Sequence, residues 1–143
     1  MKKEKSYNDT IMIHIPIYET NLIISYNQNK KQLKKTLSEA SKKEIISKLQ
    51  YKDLCTYFDE PDHVDKNYVG LYTTNGRSHI IRINKEDDMS QLINTISHEV
   101  LHFVIELLKN NGMKLSDKSE EAYTYLNGFV MGQIYTHLVQ PIL

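Results

Sequence analysis

The segment SHEVLH, residues 97–102, places two histidines four positions apart and a glutamate directly after the first. On an α-helix, side chains four positions apart lie one turn above each other, with Cβ atoms about 6 Å apart. His98 and His102 can therefore point at one ion and supply half of a tetrahedral zinc shell. Glu99 lies one step around the helix, where it can take a proton from metal-bound water. This H-E-x-x-H arrangement indicates hydrolytic zinc chemistry.

A catalytic zinc site needs a third protein ligand and leaves its fourth position to water. Glu120 and Glu121 open the last helical segment, and eighteen residues separate His102 from Glu121. Adjacent helical residues point about 100° apart, so only one of the two acids can face the ion. We favour Glu121, because Gly128 and Gly132 follow on its side of the helix and admit a close neighbour. Glu120 remains the alternative, with helix capping as its other role.

Peptide hydrolysis also needs a hydrogen-bond donor for the oxyanion. No side chain stands out from the sequence as this donor, and each candidate has an ordinary structural role in core packing or on a strand surface. The candidates are Tyr72, His79 and Tyr125. The other histidines lack ligand spacing, and no neighbouring basic or histidine motif marks the single cysteine as reactive, so we expect a buried thiol. These residues are His14, His63, His137 and Cys55.

Two helices are predicted around the candidate ligands. Asp88 is a plausible N-cap for a helix over residues 89–110, with Gln91 completing a capping box, and Gly112 marks its end. Asp117, with Glu120 three positions later, predicts the start of a final helix that extends to about Val139. The turn over residues 111–117 is short enough to return this helix antiparallel to the first.

The strands are predicted from alternation and turn chemistry. TIMIHIPIYE, from Thr10, has a period of two, and Pro16 favours an edge position or a bulge. NLIISY, residues 21–26, is a second strand or a continuation. In VGLYTTNGRSHIIRIN, two β-rich arms flank Asn75-Gly76, which predicts a hairpin with a type I′ turn.

Residues 28–58 have helical spacing of leucine and isoleucine between many lysines, which we interpret as a solvated face. Ser38 or Ser41 could cap a second helix there, with Glu44 completing a box from Ser41. Residues 59–67 are predicted to be a polar loop. Together the elements predict an α+β fold, in which a small, mostly antiparallel sheet packs on the motif helix and the C-terminal helix, with the lysine-rich region on the flank.

Composition excludes some partners. The 143 residues fit one domain, residues 1–143, and eighteen basic residues balance eighteen acidic ones, so no nucleic-acid partner is indicated. No apolar run is long enough to span a bilayer, and the first residues do not form an apolar signal core. One cysteine cannot form an internal disulfide, so we expect a cytoplasmic protein without a membrane partner. The oligomeric state stays open.

The quoted residues also carry a family resemblance. His98-Glu99-Val100-Leu101-His102, eighteen residues and then Glu121 resembles the gluzincin pattern. The course from HIPIY through the GLY hairpin to SHEVLH and SEEAYTYLNGF looks like small metallopeptidases encoded by bacteriophages and prophages. The outline is also similar to ImmA/IrrE-type peptidases, although this chain lacks their separate DNA-binding domain.

The resemblance implies a minimal zincin-like fold with Zn²⁺ bound by His98, His102 and Glu121. It implies that Glu99 is the general base and that the substrate is a protein or peptide, met in the host cytoplasm if the chain is phage encoded. The alternative is a catalytically inactive zinc-binding module or a phage structural or interaction protein. Three ligands with one open position favour catalysis over a closed structural site.

Overall fold

A four-stranded sheet forms the middle layer of the fold. The structure is a computed structural model that describes residues 9–58 and 68–143. The strands β1 (Asp9–Ile15), β2 (Thr20–Tyr26), β3 (Gly70–Thr74) and β4 (His79–Ile83) lie in the order β1-β2-β4-β3. β1 pairs with β2 and β3 with β4 in antiparallel fashion, whereas β2 and β4 are parallel. The predicted α+β class and mostly antiparallel sheet are confirmed.

The first two strands resolve the alternative left by the sequence, because NLIISY belongs to a separate strand. A 3₁₀ turn over Pro16–Tyr18 joins β1 to β2, and Glu19 closes it with a positive φ of 45°. β1 is an edge strand, as Pro16 predicted, and the proline lies just beyond the ladder, where its missing N–H costs nothing.

The predicted hairpin is confirmed, but its predicted type I′ turn is wrong. Four residues, from Asn75 to Ser78, connect β3 to β4, and Gly76 has a positive φ of 89° whereas Asn75 does not. The Asn75 side chain instead accepts hydrogen bonds from the amides of Arg77 and Ser78. Asparagine here forms a side-chain turn, an alternative use of the same residue.

The lysine-rich region forms two helices, α1 (Lys30–Lys42) and α2 (Lys48–Phe58). Their N-terminal caps differ from the predicted Ser38 or Ser41. Asn29 with Gln32 forms the capping box of α1, and Ser47 exchanges equivalent bonds with Gln50 at the start of α2. The predicted loop at residues 59–67, which includes His63, lies outside the described residues.

The two C-terminal helices are α3 (Met89–Asn110) and α4 (Glu120–Ile134), and α4 continues through a π-helical turn over Tyr135–Val139. Asp88 caps α3 as predicted and accepts bonds from the amides at positions 90 and 91. Ser119, not Asp117, occupies the N-cap position of α4. Within residues 9–58 and 68–143, no helix is both long and apolar enough to cross a membrane.

The sheet is covered on both faces. The prediction that the lysine-rich helices lie on its flank is therefore wrong. α3 and α4 pack on one face through alternate strand residues, and α1 and α2 cover the other face. The first core includes Ile13, Leu22, Ile24, Ile81, Ile83, Val100, Phe103 and Val130. The second includes Ile23, Ile80, Leu33, Leu37, Ile46, Leu54 and Phe58.

We expect Leu37→Ala to lower the free energy of unfolding by about 2–5 kcal/mol, because it opens a cavity in the second core. Leu37 is 1% exposed, whereas Leu49 is 77% exposed although its sequence spacing is also helical. Leu49→Ala is the matched control and should change stability by less than about 0.5 kcal/mol. Urea unfolding of both variants checks this. Equal losses would contradict the packing of α1 against the sheet.

Candidate metal centre

Helix α3 carries the candidate ligands because it buries one apolar stripe and leaves the opposite side outside. The stripe packs on the sheet and consists of Leu92, Ile96, Val100, Phe103, Val104 and Leu107. His98 and His102 lie about half a turn away from this stripe and are exposed. Their imidazoles are therefore available to an ion that arrives from solvent.

The two imidazoles converge. Nε2 of His98 lies 3.2 Å from Nε2 of His102, and the ring centroids are 4.8 Å apart. Two nitrogens bound about 2.0–2.1 Å from one zinc ion at a tetrahedral angle are about 3.3 Å apart. The pair thus fits a zinc ion with little movement. The same separation also allows one neutral ring to donate a hydrogen bond to the other, which depends on the tautomers.

Glu99 differs from its histidine neighbours because its side chain is buried against β3. The residue is 7% exposed, and its Oε2 accepts a 2.7 Å hydrogen bond from the main-chain amide of Tyr72. Its other oxygen, Oε1, lies 3.8 Å from Nε2 of His98. One carboxylate oxygen is anchored and the other faces the histidine nitrogens, as a base acting on metal-bound water requires.

A glycine makes this approach of helix and strand possible. A Cβ built on Gly70 would lie 2.5 Å from Cγ2 of Thr95 and 3.0 Å from Cγ of Glu99. Gly70, Thr95 and Glu99 also line a cavity of about 280 Å³ that reaches His98. Gly70 and Thr95 were not predicted from the sequence as part of the site. A glycine at the start of a strand can indicate that another backbone approaches closely, and Gly70 was the one such indication in the sequence.

The structure does not bring Glu121 to the histidine pair. Glu120 and Glu121 are both exposed at the start of α4. Among the described residues, no three His, Cys, Asp or Glu side chains lie close enough together to hold a metal ion. We favoured Glu121 because Gly128 and Gly132 were expected to admit a close neighbour on its side of the helix. That expectation is wrong, because a Cβ on either glycine would meet nothing within 4 Å.

The position of α4 explains this separation. The hydroxyl of Tyr123 donates a 2.7 Å hydrogen bond to the carbonyl of Met113, which holds the start of α4 beside the end of α3. His102 lies eight residues before Asn110, the last residue of α3, and thus about 12 Å back along the helix axis. Tyr123, near the start of α4, is thus tied to the turn that follows α3, more than two helical turns beyond His102.

The three candidate oxyanion donors lie in two different settings. Tyr125 is 75% exposed on α4 and lines an apolar groove of about 560 Å³ with Ile15, Pro16, Ile17 and Phe129. Tyr72 and His79 contact each other, with the Tyr72 hydroxyl 2.8 Å from Nδ1 of His79. Burial raises the pKa of Tyr72 and lowers the pKa of His79, although the Glu106 charge acts against the shift at His79.

The remaining titratable candidates stay apart from the pair. His14 is exposed, with Nδ1 2.9 Å from Oδ1 of Asn21, and His137 is exposed on the π-helical turn. Cys55 is partly exposed, so the expected buried thiol is not observed. These positions therefore add no ligand to the site.

Comparison of the chain with protein families, with curated proteins and with solved structures finds no match. The site must therefore be interpreted from its own geometry. The residues that the structure brings together are His98, Glu99 and His102, with the β3 backbone beside them.

We expect Gly70→Ala to lower the free energy of unfolding by about 1–3 kcal/mol, because the added methyl group overlaps Thr95 and Glu99. Gly128→Ala is the matched control. It lies inside α4 with open space around it and should raise stability by about 0.5–1 kcal/mol. Urea unfolding measures both changes. A neutral Gly70→Ala would show that α3 does not pack this closely on β3.

Proposed function

We propose that this chain is a zinc-dependent metallopeptidase in which His98 and His102 bind the ion and Glu99 is the general base. The observation that carries the proposal is the convergence of three groups, with the two Nε2 atoms 3.2 Å apart and Oε1 of Glu99 3.8 Å from the nearer one. The resemblance to small phage-encoded metallopeptidases supports the same chemistry. The substrate class is a protein or peptide.

Each of these residues has a defined task in hydrolysis. When bound, zinc supplies Lewis-acid activation of a water molecule and of the substrate carbonyl. His98 and His102 would hold the ion through Nε2. Glu99 would accept a proton at Oε1 as the water oxygen adds to the substrate carbonyl carbon, and would transfer it to the amine nitrogen as the C–N bond breaks. Its other oxygen keeps the hydrogen bond to β3, so the carboxylate need not reorient between the two transfers.

The proposal retains Glu121 as the third protein ligand, with Glu120 as the alternative. Both acids are exposed, so either can bind only if the segment between α3 and α4 shifts the first turn of α4 toward His102. Its hydrogen bonds to the preceding loop, from Tyr123 to Met113 and from Ser119 to Ser116, would have to rearrange. We also propose that the protein acts in the cytoplasm, as its single cysteine leads us to expect.

The second candidate function is a zinc-binding module without catalysis. The separation of Glu120 and Glu121 from the histidines favours it, since two imidazoles alone form an incomplete catalytic shell. The burial of Glu99 favours the peptidase, because a module that only binds zinc has no use for a carboxylate held beside the ion.

We expect Glu99→Gln to lower kcat for an unfolded protein substrate by about 10²–10⁴-fold, because the amide cannot accept the proton. Zinc content should stay at the wild-type value, since the ligands are unchanged. Hydrolysis of a fluorescent casein and metal analysis of the same preparations measure the two quantities. His137→Gln, at an exposed position away from the pair, is the control and should match the wild type in both.

Two results separate the candidate functions. Zinc binding without cleavage by the wild type supports the zinc-binding module and rejects the peptidase. Cleavage that persists in Glu99→Gln at the wild-type rate assigns proton transfer to another group and contradicts the proposed base.

We expect Glu121→Gln to lower zinc affinity, and Glu120→Gln to leave it unchanged. Loss of a ligand should exceed the roughly 10–100-fold effect of a lost supporting group. Competition with a chromogenic chelator measures the affinity, and His98→Ala gives the decrease expected when a proposed histidine ligand is lost. The reverse order of the two glutamates would make Glu120 the ligand. If both variants bind zinc as tightly as the wild type, neither glutamate is a ligand, and His98 and His102 alone bind the ion.

A further inference from the structure

The amide that binds Glu99 belongs to an edge strand of the sheet. Among the described strands, β3 pairs with β4 alone, and inward and outward amides alternate along an edge strand. The Asn84 amide donates to the Val69 carbonyl at 3.0 Å, so residues 69, 71 and 73 face β4, while Gly70, Tyr72 and Thr74 face outward. The Tyr72 amide would otherwise bind water. Glu99 occupies this donor at 2.7 Å.

The Tyr72 side chain is held by two contacts on the face of the sheet that α3 covers. Its hydroxyl lies 2.8 Å from Nδ1 of His79, which is 3% exposed, and its ring meets Phe103 edge-on at a centroid distance of 6.1 Å. His79 itself packs edge-on against Phe103 at 5.2 Å. Burial raises the pKa of the phenol and lowers the pKa of the imidazole, so both groups stay uncharged, and the His79 tautomer decides which of them donates.

These contacts form one continuous path from a buried histidine to the proposed base. His79 holds the Tyr72 hydroxyl, the ring holds the Tyr72 main chain, and the main-chain amide holds Oε2 of Glu99. We infer that Tyr72 and His79 are positioning residues that fix the Glu99 carboxylate with Oε1 toward the metal ligands. The inference rests on the proposed function for its meaning in catalysis, whereas the contact itself can be tested without any activity.

This role differs from that of an oxyanion donor. The Tyr72 hydroxyl forms its hydrogen bond with buried His79 and is therefore already engaged on the core side of β3. An oxyanion donor contacts the reacting oxygen, and its removal typically lowers kcat by about 10²–10³-fold. A positioning residue acts through Glu99, and its loss should be smaller and should depend on its partner.

The contact is tested by amide hydrogen exchange, followed by NMR on the full chain with and without zinc. Glu99→Ala should accelerate exchange of the Tyr72 amide by about 10–100-fold, because a hydrogen bond to a charged acceptor is lost. Glu99→Gln keeps an acceptor and should retain most of the protection. The inward amides of Leu71 and Thr73 are internal controls and should not change. Equal acceleration of all three amides, or none at Tyr72, overturns the inference.

The positioning role is tested by kinetics on the zinc-loaded protein. Tyr72→Phe and His79→Leu should each lower kcat by about 10-fold with KM unchanged, because misplacement of a reacting group affects the chemical step. His79→Asn, which keeps an acceptor near the Nδ1 position, should restore most of the rate. The double variant Tyr72→Phe/His79→Leu should be no slower than either single variant. A loss of 10²-fold or more in Tyr72→Phe that is independent of His79 assigns oxyanion binding instead.

The two experiments separate failure of the inference from failure of the proposed function. A wild-type protein that binds zinc and cleaves nothing rejects the peptidase, and the exchange rates still decide whether Tyr72 and His79 fix the carboxylate. Zinc-dependent cleavage with an unprotected Tyr72 amide retains the peptidase and rejects the positioning pair.

Discussion

The hydrogen bond from the Tyr72 amide to Glu99 acts together with the apolar stripe of helix α3 to set how the helix packs on the sheet. A carboxylate that is 7% exposed is costly to bury unless a donor meets it, and the edge amide of β3 is that donor. With Glu99 turned toward the strand and the apolar stripe turned toward the core, the rotation of α3 about its axis is fixed. His98 precedes Glu99 by one residue, or about 100°, and must therefore face outward. His102 follows one turn later on the same side.

This rotation has consequences on both sides of the helix. Toward β3, the close approach requires Gly70, because any larger residue would meet Thr95 and Glu99. Toward solvent, the imidazoles keep contact with water, with the His98 side chain 67% exposed. A metal ion can reach such a pair without displacing a packed side chain, and a substrate can reach the ion. The apolar stripe and this hydrogen bond together account for a buried carboxylate beside two exposed imidazoles.

Much of this arrangement follows from local sequence signals. Helical periodicity and the Asp88 cap predict α3, and the four-residue spacing predicts the convergence of His98 and His102. The packing of α4 beside α3 was not predictable in the same way, although the end of α3 near residue 110 was. The helix continues eight residues past His102, and the hydrogen bond from Tyr123 to Met113 ties α4 to the turn beyond that end. The role of Tyr72 was also hidden, because its binding group is a main-chain amide that every non-proline residue carries.

The observations at the site carry different weight for function. Convergence of two histidines four residues apart is nearly a property of the α-helix, so it supports metal binding without distinguishing a catalytic from a non-catalytic site. Helix geometry does not require a buried acid at position 99. An apolar or amide side chain there would give the folded protein at least the same stability. One oxygen of this carboxylate is bound to β3 and the other faces His98, which suits proton transfer. Burying the same carboxylate lowers the stability of the fold. Its position beside the histidines therefore favours hydrolysis over simple zinc binding.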